Sequence, residues 1–166
     1  IDLAGLDGSD GFVLNGIDVG DNSGHSISSA GDVNGDDIDD ILIGAPSAAN
    51  STGETYVVFG KDKDKTFDAA IDLADLDGSN GFVFKGIDDW DTSGWSVSSA
   101  GDVNSDGIDD ILIGAIWADP DGAQDAGETY VVYGGADLLA VYDKADGVGD
   151  GSIELSLIGE TPIMYI

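Results

Sequence analysis

With 166 residues, 34 acidic side chains, five lysines, no arginine and a formal net charge of −29, the chain is long enough to bury one core. It is also too acidic to hold a phosphate backbone or an anionic membrane surface. Disorder is excluded too, because 42% of the residues are apolar and come in short runs such as Ile41-Leu42-Ile43 and Tyr130-Val131-Val132-Tyr133, with the 26 glycines between them. The absence of cysteine leaves the redox compartment open. No leader or membrane run is visible, and the start at Ile1 reads as a mature or trimmed chain.

Taken from the N-terminus, Ile1-Asp2-Leu3-Ala4 has room for a single helical turn. Four β-branched and aromatic segments bounded by Gly, Asp, Asn and Ser follow, at Phe12–Ile17, His25–Gly31, Asp39–Ala45 and Glu54–Gly60. Ser26-Ile27-Ser28-Ser29-Ala30 alternates small polar with apolar, as suits an innermost strand whose neighbours approach closely. Ile41-Leu42-Ile43 is apolar on both faces and predicts a strand buried between sheets. The series then repeats. Ile71-Asp72-Leu73-Ala74 opens a second round, with strands expected at Phe82–Ile87, Trp95–Gly101, Asp109–Ala115 and Glu128–Gly134. The offset between rounds is 70 residues until the loop before Gly127, where it becomes 74, so that loop is a surface insertion. A third round begins at Ile153-Glu154-Leu155-Ser156 and fades toward a weak strand at Ile163–Ile166. No stretch carries a sustained helical period. Four-stranded units in tandem predict an all-β fold of β-propeller-type blades, each of four antiparallel strands.

Each round contains one loop rich in oxygen donors. Asp32-Val33-Asn34-Gly35-Asp36-Asp37-Ile38-Asp39-Asp40 carries them at positions one, three, five and nine, and Asp102-Val103-Asn104-Ser105-Asp106-Gly107-Ile108-Asp109-Asp110 does the same. Calcium takes six to eight hard oxygen ligands in a flexible cage, and a loop coiling round an ion turns alternate side chains inward. Position seven, Ile38 or Ile108, would offer its backbone carbonyl, and position nine closes the cage as the next strand begins. The sixth position must turn sharply. Gly107 suits it better than Asp37, which predicts tighter binding in the second loop. The competing reading is a pair of solvated acidic turns. It does not explain why the same donors recur at the same spacing.

The blocks Ser23-Gly24-His25-Ser26, Gly31-Asp32-Val33-Asn34-Gly35-Asp36 and Ile41-Leu42-Ile43-Gly44-Ala45-Pro46 resemble, in order, the FG-GAP repeat of integrin α-subunit propellers and of bacterial extracellular proteins. The resemblance covers both rounds. It departs at Ser23 and Ser93, which stand where the family name has Phe, and at Ile116, which replaces Pro. It implies that the donor loop joins the first and second strands of a blade. It also implies Asp32, Asn34, Asp36 and Asp40 as side-chain ligands with Ile38 as a carbonyl ligand, and Asp102, Asn104, Asp106, Asp110 and Ile108 as the matching set. On that footing the chain divides into residues 1–24, the outer strand and connector of a preceding blade; 25–87, a first blade with its calcium loop at 32–40; and 88–166, a second blade with its loop at 102–110, an acidic Gly-rich linker at 135–152 and the weak last strand. The expected setting is extracellular or at the cell surface, and the expected role is adhesion or assembly. The partners would be other blades, joined head-to-tail or within a longer chain, along with a protein or glycan ligand.

A third acidic stretch, Asp143–Glu154, places Asp146, Asp150, Gly151 and Ile153 at positions one, five, six and eight of a loop, but Val148 and Leu157 occupy two ligand positions. It reads better as a linker than as a weak third calcium site. Catalysis is not expected. The single histidine, His25, is replaced by Trp95 in the second round, and Gly24-His25-Ser26-Ile27-Ser28 lacks the final glycine and the strand–helix setting of a nucleophile elbow. The alternatives are a non-catalytic propeller segment of a larger secreted hydrolase and an enzyme acting on polysaccharide. Asn50-Ser51-Thr52 is a lone glycosylation sequon.

Overall fold

A computed structural model describes residues 2–145 and 147–158. In chain order its strands are β1 (Val13–Asn15), β2 (Ser26–Gly31), β3 (Asp40–Ala45), β4 (Glu54–Val58) and β5 (Ala70–Asp72). They continue as β6 (Gly81–Lys85), β7 (Ser93–Gly101), β8 (Asp110–Ala115), β9 (Glu128–Val132) and β10 (Ser152–Glu154). The three Ile-Asp-Leu-like segments each make one 3-10 turn, at Leu3–Gly5, Leu73–Asp75 and Leu155–Leu157. The fold is all-β. The expected strand at Ile163–Ile166 lies outside the described residues.

Strands β2, β3, β4 and β6 form one antiparallel blade, its first three joined by connections that the Gly and Asp punctuation marks and β6 added after the excursion through β5. Strands β7, β8 and β9 repeat its first three. The outer strands are extended by short parallel partners: β1 pairs with β5, with Leu14 opposite Ile71, and β6 pairs with β10, with Phe84 opposite Ile153. Each of these partners comes from the next round of the sequence, so successive repeats are laced together at their edges. The inserted loop of the second round contains the 3-10 turn Pro120–Gly122.

Every β3 residue from Ile41 to Ile43 packs, on alternate sides as its pleat requires. Leu42 joins Val57, Phe82 and Phe84 against Ile111, Ile113 and Val132 of the second sheet. Ile41 and Ile43 face the other way, with Tyr56, Val58, Leu73 and Leu76. The inner strands approach closely: Ser26 Oγ donates to Gly94 O at 2.9 Å. A Cβ on Gly44 would fall 2.0 Å from that same carbonyl, so only glycine fits there.

Two expectations need correction. Two blades cannot close a ring and are expected to leave apolar faces open that include the Ile41–Ile43 and Ile111–Ile113 strands, yet Ile43, Ile111 and Ile113 are buried. The open face belongs to the other side of the second sheet, where Val131 and Tyr133 are 45% and 44% exposed. Their counterparts Val57 and Phe59 pack into the core between the sheets. Residues Ala136–Asp143, read as part of a linker, form a helix whose Leu139 and Tyr142 enter that same core. Eight residues are too few to display a helical period beside so many glycines.

Candidate metal loops

A bulge precedes each donor loop. The register of β2 against β3 slips between Ser29 and Gly31, and that of β7 against β8 slips between Ser99 and Gly101. The extra residue bends the strand and throws the loop outward. Gly31 and Gly101 make the bend at φ 75° and 66°, a left-handed conformation costly for residues with a Cβ.

Within the first loop, three of the expected side-chain donors converge. Asp32 Oδ1 accepts from the Asp36 amide at 3.0 Å, and Asn34 Oδ1 accepts from the same amide at 2.9 Å. Asn34 Nδ2 donates to Asp36 Oδ2 at 3.2 Å. The second loop is built alike: the Asp106 amide donates to Asp102 Oδ1 at 3.0 Å and to Asn104 Oδ1 at 2.9 Å, and Asn104 Nδ2 donates to Asp106 Oδ2 at 2.9 Å. Positions one, three and five thus gather in both loops. All are hard oxygen donors, suited to a calcium ion.

Position nine sits apart from that gathering. Asp40 is buried, with Oδ2 accepting from the Val33 amide at 3.1 Å and Oδ1 from the Gly60 amide at 2.8 Å. Asp110 does the same with Val103 at 2.8 Å and Gly134 at 3.0 Å. This carboxylate staples the base of the loop to the end of the blade's third strand, so ligating an ion requires it to share its lone pairs. Among the described residues no three acidic or histidine side chains form a ready-made ion cluster. The side chain at position seven is half-buried in both loops.

The strain argument for ranking the loops does not hold. Each loop has two left-handed positions, not one: Gly35 and Asp37 at φ 81° and 66°, and Ser105 and Gly107 at φ 63° and 91°. Each therefore uses one glycine and one residue with a Cβ, and aspartate tolerates the conformation better than serine.

Burial pushes the Asp40 carboxyl up to about 6, against the pull of the Gly60 and Val33 amides, and the Asp36 and Asp32 charges add to the rise. The folded state therefore holds this proton more tightly than the unfolded chain does. The stabilisation is fully present below the usual aspartate range near 3.8 and is lost as pH rises through about 6. In chelator, the melting temperature should accordingly climb as pH falls from 7 to 5, and Asp40→Asn should flatten that climb. An identical slope in the variant would show that other carboxylates govern it.

The third stretch is committed to its own backbone. Asp143 Oδ1 accepts from the amides of Asp150 and Gly151 at 3.1 and 2.6 Å, and Asp150 Oδ1 accepts from Ser152 N at 3.0 Å. Asp146 lies outside the described residues. The rings of His25 and Trp95, equivalent positions in the two repeats, stand 4.5 Å apart and pack on one another.

No local pattern predicts partners for the first loop from the second repeat. Asp109 takes the Asp32 amide on Oδ2 at 3.1 Å, and the amides of Gly135 and Ala136 reach the carbonyls of Val33 and Asn34 at 2.7 and 3.2 Å. The available signal was the paired aspartate closing both loops, whose first member had no role in the spacing.

Comparison with known proteins matches residues 23–58 and 93–132 to the FG-GAP repeat. Over 139 residues the chain is 34% identical to integrin alpha pat-2 of Caenorhabditis elegans, covering 74% of this chain and 10% of that protein. It is 32% identical over 100 residues to integrin alpha-5 of Xenopus laevis, covering 55% of this chain and 8% of that one. It is 29% identical over 133 residues to integrin alpha-PS2 of Drosophila melanogaster, covering 74% and 8%. The chain thus spans about a tenth of the length of the curated relatives it matches.

Proposed function

This chain belongs to the FG-GAP repeat family, and from that premise we propose that it is a non-catalytic, calcium-binding segment of an extracellular or cell-surface β-propeller serving adhesion or protein assembly. The observation that carries the calcium reading is the convergence of positions one, three and five in both loops, with the same partners in each. Asp32, Asn34, Asp36 and Asp40, with the Ile38 carbonyl, would hold one ion. Asp102, Asn104, Asp106 and Asp110, with the Ile108 carbonyl, would hold the other. Calcium supplies the positive charge that lets these carboxylates sit together. The packing of His25 on Trp95 supports a structural role for the only histidine.

The assembly reading rests on the open face. Val131 and Tyr133 are 45% and 44% exposed, and Val131 pairs across the sheet with the half-buried Leu112. Apolar patches of this kind mark interfaces. A further blade covers it, supplied by a longer parent chain or by a second copy adding head-to-tail. Titration calorimetry should count two calcium ions per chain, and one in Asp36→Ala. Sedimentation at micromolar concentration in calcium should show self-association. Two ions without association would place the partner blade in the parent chain, whereas no calcium heat would overturn the metal reading.

A further inference from the structure

The two donor loops have the same sequence plan but different surroundings. In the first, three consecutive carbonyls are held by the second repeat: Asp32 O by the Asp109 amide at 3.0 Å, Val33 O by Gly135 at 2.7 Å and Asn34 O by Ala136 at 3.2 Å. The Asp32 amide donates to Asp109 Oδ2, so Asp109 grips both sides of Asp32. A Cβ on Gly35 would lie 3.4 Å from the Ile108 side chain, which brings position seven of the second loop against position four of the first. Val33 is 2% exposed, whereas Val103, its counterpart, is 53% exposed. Among the described residues no such amides reach the carbonyls of Asp102, Val103 and Asn104. Asp39, the counterpart of Asp109, is exposed.

We propose that Asp109 is a positioning residue that holds the first loop in its ion-binding shape from the neighbouring blade, so that calcium in that loop and docking of the two blades are one coupled equilibrium. This rests on the calcium reading of the loops and assigns that site its regulation. Holding Asp32 and the two residues after it removes most of the backbone freedom that binding would otherwise have to quench. Among the described residues of this chain only the first loop is held in this way, whatever the residue at position six. Coupling is reciprocal, so an ion in the first loop tightens the blade–blade contact.

The glycines provide an internal control. A Cβ on Gly31 would fall 1.9 Å from Asp109 Oδ2, whereas one on Gly101 would meet nothing within 4 Å, although both residues have left-handed φ. Alanine at either position meets similar backbone strain, and only at Gly31 does it displace Asp109.

The test uses the full chain with Asp102→Ala and Asp106→Ala silencing the second loop, so that calorimetric heat with calcium chloride reports the first. Adding Asp109→Ala should weaken binding about tenfold, the scale of one hydrogen bond to a charged group. Asp109→Asn, which keeps an acceptor for the Asp32 amide, should recover most of it. Gly31→Ala should weaken binding and Gly101→Ala should leave it unchanged. In the parent, calcium should slow amide exchange at Asp109, Gly135 and Ala136 on the far side of the contact. Unchanged affinity in Asp109→Ala, or protection confined to residues 32–40, overturns the coupling and leaves the calcium reading standing. Loss of calcium heat with both loops intact overturns both. If Asp109→Ala fails to fold, the glycine pair and the exchange pattern decide.

Discussion

Removing calcium should lower the melting temperature by roughly 10–20 °C. An ion bound only by the folded state stabilises by about 2.7 kcal/mol at a hundredfold excess over its Kd, and two loops double that. For a chain of 166 residues each kcal/mol moves the transition by about 2–4 °C. The size of the effect follows from the charge, since 34 acidic residues face five lysines and each loop brings two carboxylates and an Asn together. Magnesium should not restore the loss, because it demands near-ideal octahedral geometry and gives up its waters reluctantly. Differential scanning calorimetry in calcium, in chelator and in chelator with excess magnesium makes the comparison. Coincident transitions in all three would refute a metal role for the loops.

Phe84→Ala should cost about 3–5 kcal/mol, while Val131→Ala should cost well under 1 kcal/mol. Phe84 is fully buried where the two sheets meet, opposite Ile153 of the lacing strand, and the cavity left by its ring would be lined by rigid strands unable to collapse. Val131 lies on the open face at 45% exposure and loses little packing within the chain. Denaturant melts of the two variants measure the difference directly. If the costs were equal in the unassociated chain, the second sheet would have to be covered on both faces within one chain, and the open-face account would fail.

The strand order of the first repeat, the two-faced strand at Ile41–Ile43, the single turns at the Ile-Asp-Leu segments and the pairing of His25 with Trp95 as equivalent positions were all legible in the residues. Each is written by short-range chemistry: a period of two, a glycine or aspartate at a turn, and a repeat that says everything twice. The gathering of positions one, three and five follows from the same local rules, because a nine-residue loop with donors at alternate positions has few ways to turn. The tertiary structure alone decided which apolar face stays open. Faces of a strand alternate, and no local signal says which of them the next sheet will cover. It also turned Asp40 and Asp110 toward backbone amides at the loop base, gave each loop a second left-handed residue, and folded Ala136–Asp143 into a helix by offering its Leu139 and Tyr142 a place between the sheets. Above all it made two loops of one sequence plan unequal. Asp39 and Asp109 are the same residue in the same motif, yet within this chain Asp109 grips a loop and Asp39 is exposed, because partnership across blades is set by what packs beside a residue and not by the residues next to it in sequence.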